Sequence, residues 1–245
     1  MKLLLHICCA PCSIACIASL RAEGIEPTGF WYNPNIHPLT EYRARRDTLV
    51  AYASQIHLAL EMQDEYGLRP FVCAVADDIV ARCLTCYAAR LRETARYAAA
   101  HGFTHFTSTL LISPYQNHEL LVAAAEQAAM EFGVAFWYRD FRPVFREGQA
   151  QARALGLYMQ KYCGCVFSEE ERYSKRFRSK AHKGAAGQTP PTSHDGADVR
   201  QAHDAAMQGL RQAGLRFEAA RGAARDAAAD PSARDPVPAP PVTDA

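Results

Sequence analysis

Eight of the nine cysteines in this 245-residue chain fall into three short groups. Cys8, Cys9, Cys12 and Cys16 lie near the N-terminus, followed by Cys83-Leu84-Thr85-Cys86 and Cys163-Gly164-Cys165; only Cys73 stands alone. Isolated free cysteines are commonly small buried hydrophobes, and Cys16 and Cys73 suit that description. Pairs two or three residues apart beside turns are what a metal requires. A structural zinc site uses four ligands, so this set is too large for one, and the adjacent Cys8 and Cys9 make an awkward knuckle. An iron–sulfur cluster takes four thiolates from scattered segments. Cys8, Cys9, Cys83 and Cys86 suffice for a [4Fe-4S] cluster. Cys12, Cys163 and Cys165 then remain beside it as a second metal site or a redox pair, and spacing does not fix the partition. Cys163 and Cys165 bracket one glycine, so both thiols can face one way, as a dithiol/disulfide couple or as two ligands.

Such groups need a scaffold. Leu3 to Ile7 is an apolar run of strand length, and Pro11 is placed to open a helix, where its missing N–H costs nothing. Cys8, Cys9 and Cys12 therefore sit where a strand hands over to a helix N-terminus. Open α/β sheets bind ligands there, and free N–H groups favour thiolate over thiol. Helix over 13–22, strand over 28–32 and the Asn33-Pro34-Asn35 turn continue a βαβ unit of about 30 residues. A helix is expected over 39–55, a third strand over 58–62, and a long helix over 79–100 carrying Cys83 and Cys86 one turn apart. A core strand is expected over 103–111, a helix over 119–132 closed by Gly133, a strand over 134–138 and a last helical segment over 168–180. Residues 70–78 have a mixed pattern. The fold class is α/β, a Rossmann-like parallel sheet flanked by helices.

Lys and Arg total 27 against 26 Asp and Glu, so no global charge marks a nucleic-acid binder. No apolar run approaches the roughly 20 residues of a membrane span, and the apolar stretch before Cys8 is too short for a signal peptide. Clustered cysteines without a secretory signal point to a reducing cytoplasm. The folded, iron–sulfur-bearing domain is expected over 1–180. Residues 181–245, rich in Ala, Gly, Pro and Ser, are expected to form a disordered tail, with no more than a transient helix over 198–228.

Five segments carry a family resemblance: HICCAPC (His6–Cys12), FWYNPNIHPLTEYRAR (Phe30–Arg45), CLTCY (Cys83–Tyr87), TLLISPYQNH (Thr109–His118) and YCGCVFSEEER (Tyr162–Arg172). Together and in this order they resemble the QueH-type epoxyqueuosine reductases, over about residues 2–180. The resemblance implies a Rossmann-like fold of the adenine-nucleotide α-hydrolase and PP-loop kind. It implies reduction of epoxyqueuosine to queuosine at the wobble position of a tRNA anticodon, the last step of queuosine synthesis, without cobalamin. It also implies a [4Fe-4S] cluster on Cys8, Cys9, Cys83 and Cys86, a redox-active pair at Cys163 and Cys165, and an electron donor of unknown identity. An alternative arrangement within the family gives one cysteine of each close pair to the cluster, and the others, with Cys12, to a second iron.

The polar loop Ser113, Tyr115, Gln116, Asn117 and His118 follows a core strand, on the edge where ligands bind, and is the candidate substrate contact; loop capping is its plain alternative. His6 is either a core histidine or a partner to a metal ligand. Arg43, Arg45 and Arg46 read as a solvated helix face, with phosphate contact as the alternative. The basic, aromatic-rich run from Arg172 to Lys180 reads as a phosphate-binding segment or a solvated helix end. Trp31, Tyr32, Tyr42 and Tyr87 are either base-stacking rings or core. Two rival functions remain. An ATP-dependent tRNA-thiolating PP-loop enzyme would need a glycine-rich loop where this chain has CCAPCS. A zinc-stabilised RNA-binding module would use the same cysteines without catalysis.

Overall fold

The computed structural model describes residues 1–174 and 196–229. Five strands form one parallel sheet: β1 (Leu3–His6), β2 (Thr28–Trp31), β3 (Leu60–Met62), β4 (His105–Ser108) and β5 (Ala135–Phe136), in the order β3-β2-β1-β4-β5. Eight α-helices accompany it among the described residues: α1 (Ala10–Ala22), α2 (Leu39–Gln55), α3 (Leu68–Val75), α4 (Arg82–Ala100), α5 (His118–Phe132), α6 (Phe145–Ala154), α7 (Val166–Tyr173) and α8 (Gly196–Ala229). β1 is buried along its whole length, as a central parallel strand covered on both faces must be. Its partners are β2, with Leu5 opposite Gly29, and β4, with His6 opposite Ser108. A Cβ on Gly29 would stand 3.0 Å from both Ile7 Cδ1 and Leu60 Cδ1, so glycine permits this close approach.

The chain builds outward from β1 through β2 to β3, then crosses to the other side for β4 and β5. The reversal opens a crevice between the C-terminal ends of β1 and β4, the standard ligand position of a doubly wound sheet. The Rossmann-like expectation holds, and so does the helical start at the cysteine turn: Cys9 is extended (φ −173°, ψ 161°) and Pro11 lies in the first turn of α1. Gly133 closes α5 with φ 65°.

Several boundaries differ from expectation. The strand expected over 103–111 stops at Ser108, whose Oγ accepts from the Leu110 N–H and turns the chain into a 3₁₀ helix over Thr109–Ile112. The untyped stretch near residue 70 is α3. α6, unforeseen, packs its Gly148 against Ala15 of α1.

Within the stretch expected as a tail with a transient helix over 198–228, residues 196–229 form α8, while 181–195 and 230–245 lie outside the described residues. α8 packs on α3, α4 and α5. Leu210, Ala213 and Phe217 are buried at three- and four-residue spacing, one stripe of a helix. Gly214 allows the approach, since a Cβ there would lie 2.6 Å from Arg92 Cδ. Arg221 donates twice to Glu65 at 2.6 Å and lies over the Tyr32 ring at 5.4 Å. Average composition conceals this: a few large apolar side chains on one face suffice when alanine fills the rest of the helix.

Candidate metal and redox centre

Each of the three cysteine groups stands at the start of a helix. Cys8 and Cys9 precede α1 and Cys12 lies in its first turn. Cys83 and Cys86 open α4. Cys165 is the residue before α7, with Cys163 two positions ahead. Unpaired backbone N–H groups at helix starts favour anionic sulfur. All nine cysteines are free thiols.

The sulfurs of Cys8, Cys9 and Cys12 lie within 4.8 Å of one another and are buried. Together they could bind a metal ion. Cys8 is the member that ionises most readily. Hydrogen bonds from Cys12 and then Cys9 hold its thiol well below the usual range, and Thr109 Oγ1 donates to its sulfur at 3.4 Å. The bond to Cys8 pushes Cys12 up, and burial pushes Cys9 up. Gln160 Nε2 donates to Cys12 Sγ at 3.5 Å. Thr109 stands just past β4 and Cys8 just past β1, so this cluster occupies the crevice at the sheet's reversal. Cys16, one turn deeper in α1, is fully buried, its thiol raised by burial, and serves the core.

The second sulfur group joins α4 to the 162–165 segment. Of each pair one residue is exposed (Cys83, Cys163) and one is buried (Cys86, Cys165). Cys86 Sγ accepts from Arg90 Nη2 at 2.7 Å and from Asn35 Nδ2 at 3.2 Å. Cys163 Sγ accepts from Gln116 Nε2 at 3.2 Å. The segment's backbone is clamped: Arg45 donates to the carbonyls of Cys163 (2.9 Å) and Tyr162 (3.0 Å), and the His37 N–H donates to the Gly164 carbonyl (2.8 Å). Gly164 takes φ 156°, which a side chain disfavours. Arg82 forks onto Glu171 at 2.6 and 2.7 Å and fastens the start of α4 to α7.

Arg45 corrects the expectation of a solvated arginine face. It is only 2% exposed and paired with Glu41 at 2.6 Å, whereas Arg43 is exposed and Arg46 pairs with Asp47 and Asp64. His6 has both ring nitrogens engaged, Nδ1 with Ser108 Oγ at 2.9 Å and Nε2 with the Tyr32 carbonyl at 3.1 Å. Because the Tyr32 carbonyl can only accept, Nε2 carries the ring proton of the neutral imidazole, and Nδ1 accepts from the Ser108 hydroxyl. Burial lowers the His6 pKa to about 4, so it is a neutral pin across β1, β2 and β4.

The loop after β4 divides in use. Gln116 reaches Cys163, and Tyr87 donates to Gln116 Oε1 at 2.7 Å. Asn117 caps α5 through Leu120 N–H, and Ser113 accepts from Tyr115 N–H. His118 meets Tyr138, and Tyr115 is 80% exposed. Trp31, Tyr32, Tyr42 and Tyr87 are all buried core. Arg172, Tyr173 and Ser174 end α7 and the loop after it, while residues 175–180 of the basic run lie outside the described residues. Sequence reasoning did not single out Asn35, Arg90, Thr109 or Gln160. Arg90 had a legible signal, standing four residues after Cys86 on the same helix face.

The donor chemistry fits a thiolate-bound metal centre on two counts. Three sulfurs already converge within chelating distance. Arg90 is 3% exposed, and among the described residues no carboxylate pairs with it. A buried guanidinium needs an anion, and sulfur is the acceptor it touches.

The segments that carry these cysteines lie within a stretch similar to known proteins. The family model described as "Epoxyqueuosine reductase QueH" matches residues 3–171. A Dehalococcoides mccartyi protein named Epoxyqueuosine reductase QueH is 39% identical over 174 residues, covering 71% of this chain and 96% of its own. Proteins of the same name from Thermotoga maritima and Haemophilus influenzae are 36% and 33% identical, covering 70% and 68% of this chain and 92% and 71% of theirs.

Proposed function

Since this chain belongs to the QueH family of epoxyqueuosine reductases, we propose that it reduces epoxyqueuosine to queuosine at the wobble position of tRNA. It is an oxidoreductase of tRNA modification that works in the cytoplasm with an electron donor of unknown identity. The reaction breaks both C–O bonds of an epoxide, releases the oxygen as water and leaves a carbon–carbon double bond. It consumes two electrons and two protons.

Cys8, Cys9, Cys83 and Cys86 would hold a [4Fe-4S] cluster, and Cys163 with Cys165, together with Cys12, would serve as a redox pair or as ligands of a second metal. A cluster there supplies electrons singly. The chain's own residues do the rest. Arg45 and His37 fix the Cys163–Cys165 segment, Gln116 orients Cys163, and Thr109 holds Cys8. Tyr115, exposed beside Gln116, offers a ring on which an unstacked anticodon base can lie. The alternation of one exposed and one buried cysteine in each later pair favours a second reading. In it the two members of each pair serve different centres, and Cys12 joins the exposed members at a second iron.

The observation that carries the proposal is the convergence of the Cys8, Cys9 and Cys12 sulfurs at the sheet's reversal, within the span that matches the family. The absence of any glycine in the Cys8–Ser13 turn argues against ATP use. The test is anaerobic incubation with dithionite and tRNA bearing epoxyqueuosine, followed by nucleoside mass analysis. Loss of one oxygen atom from the modified nucleoside is expected. Iron-loaded protein that leaves the epoxide intact would refute the proposal, and Tyr115→Ala should raise KM several-fold with little change in kcat.

A further inference from the structure

Two buried arginines approach the sulfur groups, and they differ in one respect. Arg45 has its own carboxylate, Glu41, and spends its remaining donors on backbone carbonyls. Arg90 has no such partner among the described residues. Its Nε donates to the Cys86 carbonyl at 3.0 Å and its Nη2 to Cys86 Sγ at 2.7 Å. Thr94 Oγ1 donates to the Arg90 carbonyl at 2.7 Å and steadies this turn of α4. Asn35, 2% exposed and arriving from the turn after β2, puts Nδ2 3.2 Å from the same sulfur. One sulfur thus receives two N–H donors from different elements, one of them cationic.

Burial removes Arg90 from any tRNA phosphate, so its charge acts inward. A donor to a ligand sulfur stabilises whichever redox state places more negative charge there, and that is the state holding the added electron. Hydrogen bonds to ligand sulfurs are among the factors that set the potential of such centres. We propose that Arg90 and Asn35 are positioning residues that raise the reduction potential of the centre through their shared hydrogen bonds to Cys86 Sγ, so that a one-electron donor can charge it. This rests on the proposed function, in that Cys86 must be a ligand.

The test is a mediated redox titration of anaerobically purified full-length chain, reduced with dithionite and followed by visible absorption and electron paramagnetic resonance, with iron and sulfide measured in each sample. Arg90→Met should move the midpoint to lower potential by at least a tenfold change in the reduction equilibrium, ~59 mV for one electron. Arg90→Lys, which keeps the charge without the fork, should recover part of the shift. Asn35→Ala should shift the midpoint in the same direction by a smaller amount, and it decides the matter if Arg90→Met fails to retain iron. A variant with full iron and sulfide and the wild-type midpoint overturns the inference. Wild-type chain that binds no iron overturns the proposed function itself.

Discussion

Cys86 illustrates what a single residue needs in order to act here. Its sulfur lies at a helix start, is buried, and meets a cation and an amide donor. Cys86→Ala should therefore bleach the visible absorption of the purified protein, and full colour with unchanged iron would remove Cys86 from the ligand set. Gly164 acts through the backbone instead. At φ 156° a Cβ would find room, its nearest contact being Ile36 Cγ1 at 3.4 Å, so the cost of Gly164→Ala is torsional, on the order of 1–3 kcal/mol. That variant should fold, with reduced iron per chain, and wild-type iron content would show that the segment's conformation is not needed. His37 bears on pH. Burial lowers its pKa from 6.5 to about 4. Between those values the unfolded chain binds a proton that the folded chain does not, so stability should fall as pH drops from about 6.5 to about 4, by up to about 3 kcal/mol. Above that window His37 contributes its full share. Denaturant unfolding across this range should show a shallower slope for His37→Gln, and an unchanged slope would remove His37 as a source.

At the scale of elements, the fold places chemistry at helix starts and stability elsewhere. α8 belongs to the second class. Burial of Leu210 and Phe217 contributes about 2 kcal/mol each, and the Arg221–Glu65 pair fastens the helix to the loop before α3. Phe217→Ala should lower unfolding stability by about 3–5 kcal/mol, and truncation after Lys180 should lower the Tm. An unchanged Tm on truncation would mean that α8 does not pack on the domain in solution. What was legible in the sequence follows the same division. β1, α1 and the cysteine turn could be read because an apolar run, a proline and close cysteines are all local signals. The helix of α8 was foreseen only as a transient one, because its buried stripe is diluted by alanine, and the burial of Arg45 was not legible because it depends on carbonyls more than 100 residues away. Gln116 was legible as a loop residue at a strand end, but its reach to Cys163 depends on how the 162–165 segment returns.

For the whole molecule, the order β3-β2-β1-β4-β5 leaves one crevice, and the cysteines from residues 8–12 stand at it. The nucleotide-binding use of such a crevice requires glycine to let phosphate approach; here Cys8, Cys9 and Cys12 stand at that place and could hold a metal, and the proposed function puts electron transfer there. No helix among the described residues is long and apolar enough to cross a membrane. The central claim is that the clustered thiols form an iron–sulfur centre. Its most direct test is anaerobic purification of the full chain, followed by a visible spectrum and analysis of iron, zinc and sulfide. The account predicts brown protein with about four iron and four sulfide per chain, as a thiolate-bound cubane requires, and further iron if a second metal site is filled. Colourless protein that carries zinc and no sulfide would contradict it.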